Sequence, residues 1–251
     1  MRLGAEFFGR DVLDVAPDLL GCRVVSRSAA GAVTVELTEV EAYAGPGDPG
    51  SHARRGPTPR SAVMFGPPAH LYVYFSYGMH WCVNVVCGPA GTAGAVLLRA
   101  GRVVEGHDLA RQRRTTARVD RDLALGPARL AAALGIDGAL DGAPLVGAPL
   151  VDAVEVPAVE VPAVEVPAVE VQGQPAAPGS IRTGPRVGVS GAGGDGATYP
   201  WRFWLDGEPT VSAYRPGVVR GEPLGGAPSR SGTLGADGPV GTRPATTRGR
   251  P

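Results

Sequence analysis

The chain has 251 residues, enough to bury a full hydrophobic core as one domain with appendages. Its formal charge is zero and all 24 basic residues are arginine, which excludes a uniformly basic nucleic-acid coat. Three cysteines (Cys22, Cys82 and Cys87) are too few and too odd a set for a disulfide scaffold. With no apolar run near the ~20 residues that cross a bilayer and no signal-peptide core at the amino terminus, they point to a soluble protein of the cytoplasm.

Asp11–Gly21 reads as a short amphipathic helix with Val12, Ala16, Leu19 and Leu20 on one face. Pro17 implies either a kink or a start near Asp14, since an interior proline removes a hydrogen bond. Strands follow at Cys22–Ser26 and Ala32–Tyr43, the second rich in β-branched residues. Residues 44–69, punctuated by glycine and proline, form a long surface loop of the kind that is usually functional or disordered. Leu71–Phe75, Trp81–Val86 and Ala95–Ala100 give three more strands. Glu105–Arg114 and Pro127–Leu134 give helices, the latter with proline at its first position and Gly135 past its end. From Val154 to Val171 the sequence repeats Val-Glu-Val-Pro-Ala with a period of five. A proline every fifth residue excludes a helix or a central strand, so 152–180 reads as an extended acidic linker. The expected fold class is α+β: a single domain over 1–219 with a curved, mainly antiparallel mixed sheet flanked by helices, and a disordered tail over 220–251.

Chemistry concentrates between residues 39 and 84, which hold four of the six tyrosines. With a period of two, Val33, Val35, Leu37, Glu39, Glu41 and Tyr43 share one face of the long strand, running from apolar to acidic to aromatic. Glu41 beside Tyr43 is then a candidate general base at a cleft wall; the plainer alternative is a solvated strand end. Tyr72 and Tyr74 share a face of the next strand, with Tyr77 just beyond, where Gly78 turns the chain. Asn84 lies in an apolar strand and needs a partner, either structural or on a ligand. Arg99 ends its strand within reach of a phosphate or a carboxylate, and His52 sits in the long loop. Between Arg99 and Arg129 eight arginines face four acids, an excess that could follow phosphates or simply solvate a helix. The spacing offers no zinc motif, phosphate loop or serine-hydrolase elbow.

In order, the chain contains Thr38-Glu39-Val40-Glu41-Ala42-Tyr43, Gly45, Asp48, Ser51-His52-Ala53, Thr58-Pro59-Arg60 and Met64-Phe65-Gly66-Pro67. Tyr72-Val73-Tyr74, Tyr77-Gly78-Met79-His80, Asn84-Val85, Leu97-Leu98-Arg99-Ala100 and Arg186-Val187-Gly188-Val189 follow. This ordered set resembles the alkyladenine (3-methyladenine) DNA glycosylases, monofunctional purine glycosylases of base excision repair, over roughly residues 7–215. The resemblance implies catalytic roles for Glu41, which activates water, and for Arg99 beside it. It implies a base pocket of Tyr43, His52, Tyr74 and Asn84, with Asn84 crowding a guanine 2-amino group, and Tyr77 as the wedge left in the duplex. It further implies damaged double-stranded DNA as partner, no metal, no cofactor, no membrane and a monomer. An aromatic sandwich would favour a cationic alkylated purine, and the absence of lysine leaves no lysine for a lyase step. Ser61 and Pro68-Ala69-His70 depart from the family pattern.

A second reading keeps the tyrosines and arginines as a non-catalytic module that binds distorted DNA through Tyr77. A third makes the pentad repeat and the arginine-rich tail a partner-binding arm. On that reading, deletion of 152–180 leaves excision intact.

Overall fold

The computed structural model describes residues 1–145 and 168–218. Its helices are α1 (Ala5–Phe8), α2 (Val12–Asp18), α3 (His107–Arg113) and α4 (Pro127–Leu134). Its strands are β1 (Arg23–Ser28), β2 (Gly31–Tyr43), β3 (Leu71–Ser76), β4 (His80–Val86), β5 (Ala95–Glu105), β6 (Ala168–Gln172), β7 (Ile181–Gly184) and β8 (Arg202–Leu205). They form one sheet in the order β3-β4-β5-β2-β1-β6, and β8 pairs with both β2 and β7. Every pairing among these strands is antiparallel, so the fold is α+β.

β2 is the spine. β5 pairs along nearly all of it, while on its other side β1 covers the first half and β8 covers Glu39–Glu41. Its side-chain phase is not the uninterrupted alternation expected from the sequence. Leu37 pairs with Gly101 and Glu39 with Ala100, which leaves Thr38 as an extra residue on β2. One step later Val40 pairs with Leu98, which leaves Arg99 as the extra residue on β5. The bulge slips the period by one. Val33, Val35 and Leu37 therefore enter the main core, and Val40 and Ala42 replace the odd positions in it afterwards. Glu39, Glu41 and Tyr43 face the opposite side of the sheet. Gly101 permits the close crossing, because a Cβ there would stand 2.4 Å from Val35 Cγ1 and 2.5 Å from the Glu36 carbonyl oxygen.

α2 starts at Val12, where the Asp11 side chain accepts from the Leu13 N–H, and it neither starts late nor stops at Pro17. Pro17 falls in the last turn, where one missing hydrogen bond costs little. β5 runs on to Glu105, past the expected end at Ala100, because Val103 still enters the core. α4 lays Leu130, Ala131, Ala133 and Leu134 inward.

The linker expected over 152–180 is corrected at its end. Ala168–Gln172, the last pentad, is an edge strand on β1, with Val169 and Val171 in the core. This copy carries Gln172 where the others carry proline. Glu170 is buried between Arg2 (2.6 Å) and Arg27 (2.5 Å). The earlier pentads and the tail over 220–251 lie outside the described residues.

Candidate active site

The face of the sheet opposite the main core holds a cleft of about 630 Å³. β2 supplies Tyr43, β3 supplies Tyr72 and Tyr74, β4 supplies Cys82 and Asn84, and β5 supplies Leu97 and Arg99. The loop between β2 and β3 adds His52, Arg54 and Arg60, and Val187–Ser190 closes the far side. Alternation does the placing: on each strand the neighbours of these residues, such as Val73, Val83 and Leu98, point into the core.

Glu41 is fully buried and does not itself line the cleft. Its Oε1 accepts from the Val187 N–H at 2.6 Å. Its Oε2 accepts from the Tyr43 hydroxyl at 2.8 Å and lies 3.2 Å from Arg99 Nη1. All three partners line the cleft, so the carboxylate stands one side chain behind its wall. Tyr43 is held protonated, and thus a donor, because burial and then the charge on Glu41 raise its phenol well above the ordinary value. Arg99 pairs with both acids. Burial opposes its charge, but Glu41 and then Glu39 outweigh burial and hold it firmly cationic.

Glu39 has another task. Its Oε1 accepts from Arg99 Nε (3.0 Å), Arg202 Nε (2.6 Å) and Ser212 Oγ (2.9 Å), and its Oε2 from the Ser212 N–H (2.8 Å). Asp48 is a third buried acid at this end of β2. It accepts from the Gly50 and Ala44 N–H groups and takes both terminal nitrogens of Arg186, which is itself fully buried. Three carboxylates thus meet three arginines, Arg99, Arg186 and Arg202, with no net charge. Such pairs persist only when complete, since removing one partner of a buried pair typically costs about 3–5 kcal/mol. Arg186 and its neighbour Val187 tie the carboxyl-terminal segment to the end of β2. Sequence reasoning gave no role to Arg202 or Ser212, and it quoted Asp48 and Arg186 without one. The available signal was a charge set among glycines in each motif.

The rings face the same space. His52 stands edge-on to Tyr74 with centroids 4.7 Å apart, and its Nδ1 lies 3.0 Å from the Tyr72 hydroxyl. Burial, then Arg60 and Arg54, push the His52 imidazole down to about 4, so it is neutral at pH 7 although still exposed. Each platform already carries a cation: the Arg186 guanidinium lies 4.6 Å from the Tyr43 ring centre, and that of Arg60 lies 5.0 Å from that of Tyr74. Asn84 Nδ2 donates to the Tyr72 carbonyl at 2.9 Å, the structural partner its place in an apolar strand requires, and the residue also lines the cleft. Tyr77 is 84% exposed at the β3–β4 turn with φ 51°, and Gly78 follows at φ 65°.

The methylpurine-DNA glycosylase family model matches residues 6–209 of this chain. The chain belongs to the methylpurine-DNA glycosylase family. As a member it is a DNA glycosylase, a hydrolase of N-glycosidic bonds that takes damaged DNA as substrate. Similar proteins that carry the name "Putative 3-methyladenine DNA glycosylase" include the following three. That of Streptomyces avermitilis is 54% identical over 213 residues, 85% of this chain and 92% of its own. That of Leifsonia xyli is 51% identical over 217 residues, 84% and 92% of the two chains. That of Frankia casuarinae is 50% identical over 214 residues, 85% and 93%.

Much of the arginine excess between Arg99 and Arg129 has partners within this glycosylase. Arg99 is buried, and Arg102 pairs with Glu36 and Glu208. Arg111 pairs with Asp108 and Asp120, while Arg113 and Arg114 donate to the carbonyls of Ala133 and Leu123. Ser61, one of the departures from the family pattern, is fully buried and staples the loop through Thr58 and Gly56. Among the described residues no helix is long and apolar enough to cross a membrane.

Proposed function

We propose that the chain excises alkylated and deaminated purines, of the 3-methyladenine, 7-methylguanine and hypoxanthine class, from duplex DNA in base excision repair. Water is the nucleophile, Glu41 its base, and an intact abasic site the product. The observation that carries this is the Glu41 carboxylate, held behind the cleft wall by Tyr43, Arg99 and Val187, each of which borders the cleft. A base inside the stack cannot reach that depth, so the nucleotide must be flipped at a cost of about a few kcal/mol. Tyr77 fills the gap, and base–aromatic stacking worth ~1–3 kcal/mol offsets part of the cost.

The flipped base lies between Tyr43 and Tyr74, with His52 beside it and Asn84 leaving no room for a guanine 2-amino group. Its arrival turns the Tyr43 hydroxyl away from Oε2, and that oxygen takes the proton of the attacking water. The water oxygen bonds to C1′ as the N-glycosidic bond breaks, and the bonding pair leaves with the purine. In a base alkylated at N3 or N7 that pair neutralises a positive charge, which makes it a good leaving group. The route uses water and protein groups, and the chain has no lysine to form an imine with the sugar.

Glu41→Gln is expected to keep lesion-DNA affinity and to lose about 10²–10⁴-fold in single-turnover excision. Near-normal base release by that variant would remove Glu41 from the role. Lesion binding by the wild type with no abasic product on any lesion would favour the non-catalytic module.

A further inference from the structure

Among the described residues, the charged side chains that line the cleft are all arginines: Arg54, Arg60 and Arg99. Glu41 lies behind Tyr43 and is bound to Arg99. Of the three arginines, Arg60 is the one seated on a base platform, 5.0 Å from the Tyr74 ring centre. The Tyr43 ring carries the buried Arg186 in the same manner. A ring that already holds a guanidinium attracts a second cation less, because the two charges repel through the ring. His52 reports the same field from inside the cleft. After burial, Arg60 and then Arg54 are the groups that disfavour its imidazolium.

We propose that Arg60 is a specificity-determining residue that tilts the cleft toward neutral damaged purines and against cationic ones. This rests on the glycosylase reading above and adds the charge class of the preferred lesion. A purine methylated at N3 or N7 is a flat cation and enters against the guanidinium on Tyr74. Hypoxanthine is flat and neutral and meets no such opposition. The aromatic sandwich still stacks both. What Arg60 changes is their ratio.

The test is single-turnover excision of hypoxanthine and of 7-methylguanine from otherwise identical duplexes, each rate divided by spontaneous depurination of the same lesion. The wild type is expected to enhance hypoxanthine release more. Arg60→Gln is expected to narrow the ratio by about tenfold, mainly by speeding 7-methylguanine release, the size of one partly screened charge repulsion. Arg55→Gln is the control for phosphate contacts: Arg55 is exposed and outside the cleft lining, so it should slow both lesions alike. A ratio unchanged in Arg60→Gln, or changed equally in Arg55→Gln, overturns the inference and leaves the glycosylase reading standing. A larger wild-type enhancement on 7-methylguanine overturns it as well. Absence of abasic product from both lesions overturns both readings.

Discussion

Glu39 and Glu41 stand two positions apart on one face of one strand, and their neighbours alone separate them. Glu39 accepts from Arg99, Arg202 and Ser212, and of these only Arg99 borders the cleft. Glu41 accepts from two groups that border the cleft, the Tyr43 hydroxyl and the Val187 N–H, and pairs with a third, Arg99. His52 shows how a titration follows from such surroundings. Its imidazole is held down at about 4 against an ordinary value of 6.5. Between those values an unfolded chain binds a proton that the folded one refuses, so stability is full above pH 6.5 and falls as pH drops toward 4. His52→Gln is expected to flatten part of that fall in denaturant midpoints measured between pH 4 and 7. The wild-type excision profile should show no inflection near 6.5 from this side chain. A slope unchanged by the substitution would mean that His52 is protonated normally.

The β3–β4 hairpin is the element at which backbone conformation and function meet most openly. A tyrosine in the left-handed region costs roughly 1–2 kcal/mol, and Tyr77 takes that conformation while mostly exposed. Nothing buried compensates for it at the tip. Tyr77→Asn suits the same dihedrals, so it should leave the melting temperature unchanged or raise stability by up to ~1 kcal/mol. The same substitution should weaken lesion-DNA binding by about 5–100-fold through lost stacking, read by titration against an abasic-site analogue. A loss of stability and binding together would make Tyr77 a packing residue. The β2 bulge is the other informative element. Every strand that lines the site was foreseeable from its β-branched and aromatic runs, and so was the sharing of a face by Glu39, Glu41 and Tyr43. That this face is the one opposite Val33, Val35 and Leu37 was not, because an extra residue leaves no mark in a pattern of alternation.

At the scale of the whole molecule, the last copy of the pentad repeat belongs to the sheet. It is an edge strand, so deletion of 152–180 would remove β6. Deleting 153–162 leaves the described strands whole and still leaves twelve residues between Leu145 and Ala168. Loop-closure entropy changes by less than ~1 kcal/mol for such a shortening, so excision and melting temperature should hold. Val171→Asp, by contrast, sets an unpaired charge among core residues and is expected to cost several kcal/mol, visible as a lowered denaturant midpoint. Equal effects of the two changes would deny β6 its place in the core.

The sequence by itself determined the family, the α+β class and the strands that build the cleft. These follow from local periodicity and from the order of motifs, both of which are properties of neighbours along the chain. Tertiary structure alone decided that Glu41 stands behind the wall and not in it, and that Asp48 closes on Arg186, 138 residues away. It also decided that Arg202 and Ser212 hold Glu39, and that Arg60 lies over Tyr74. A buried charge is stable only beside its opposite, and the opposites here come from distant segments whose meeting no local pattern encodes.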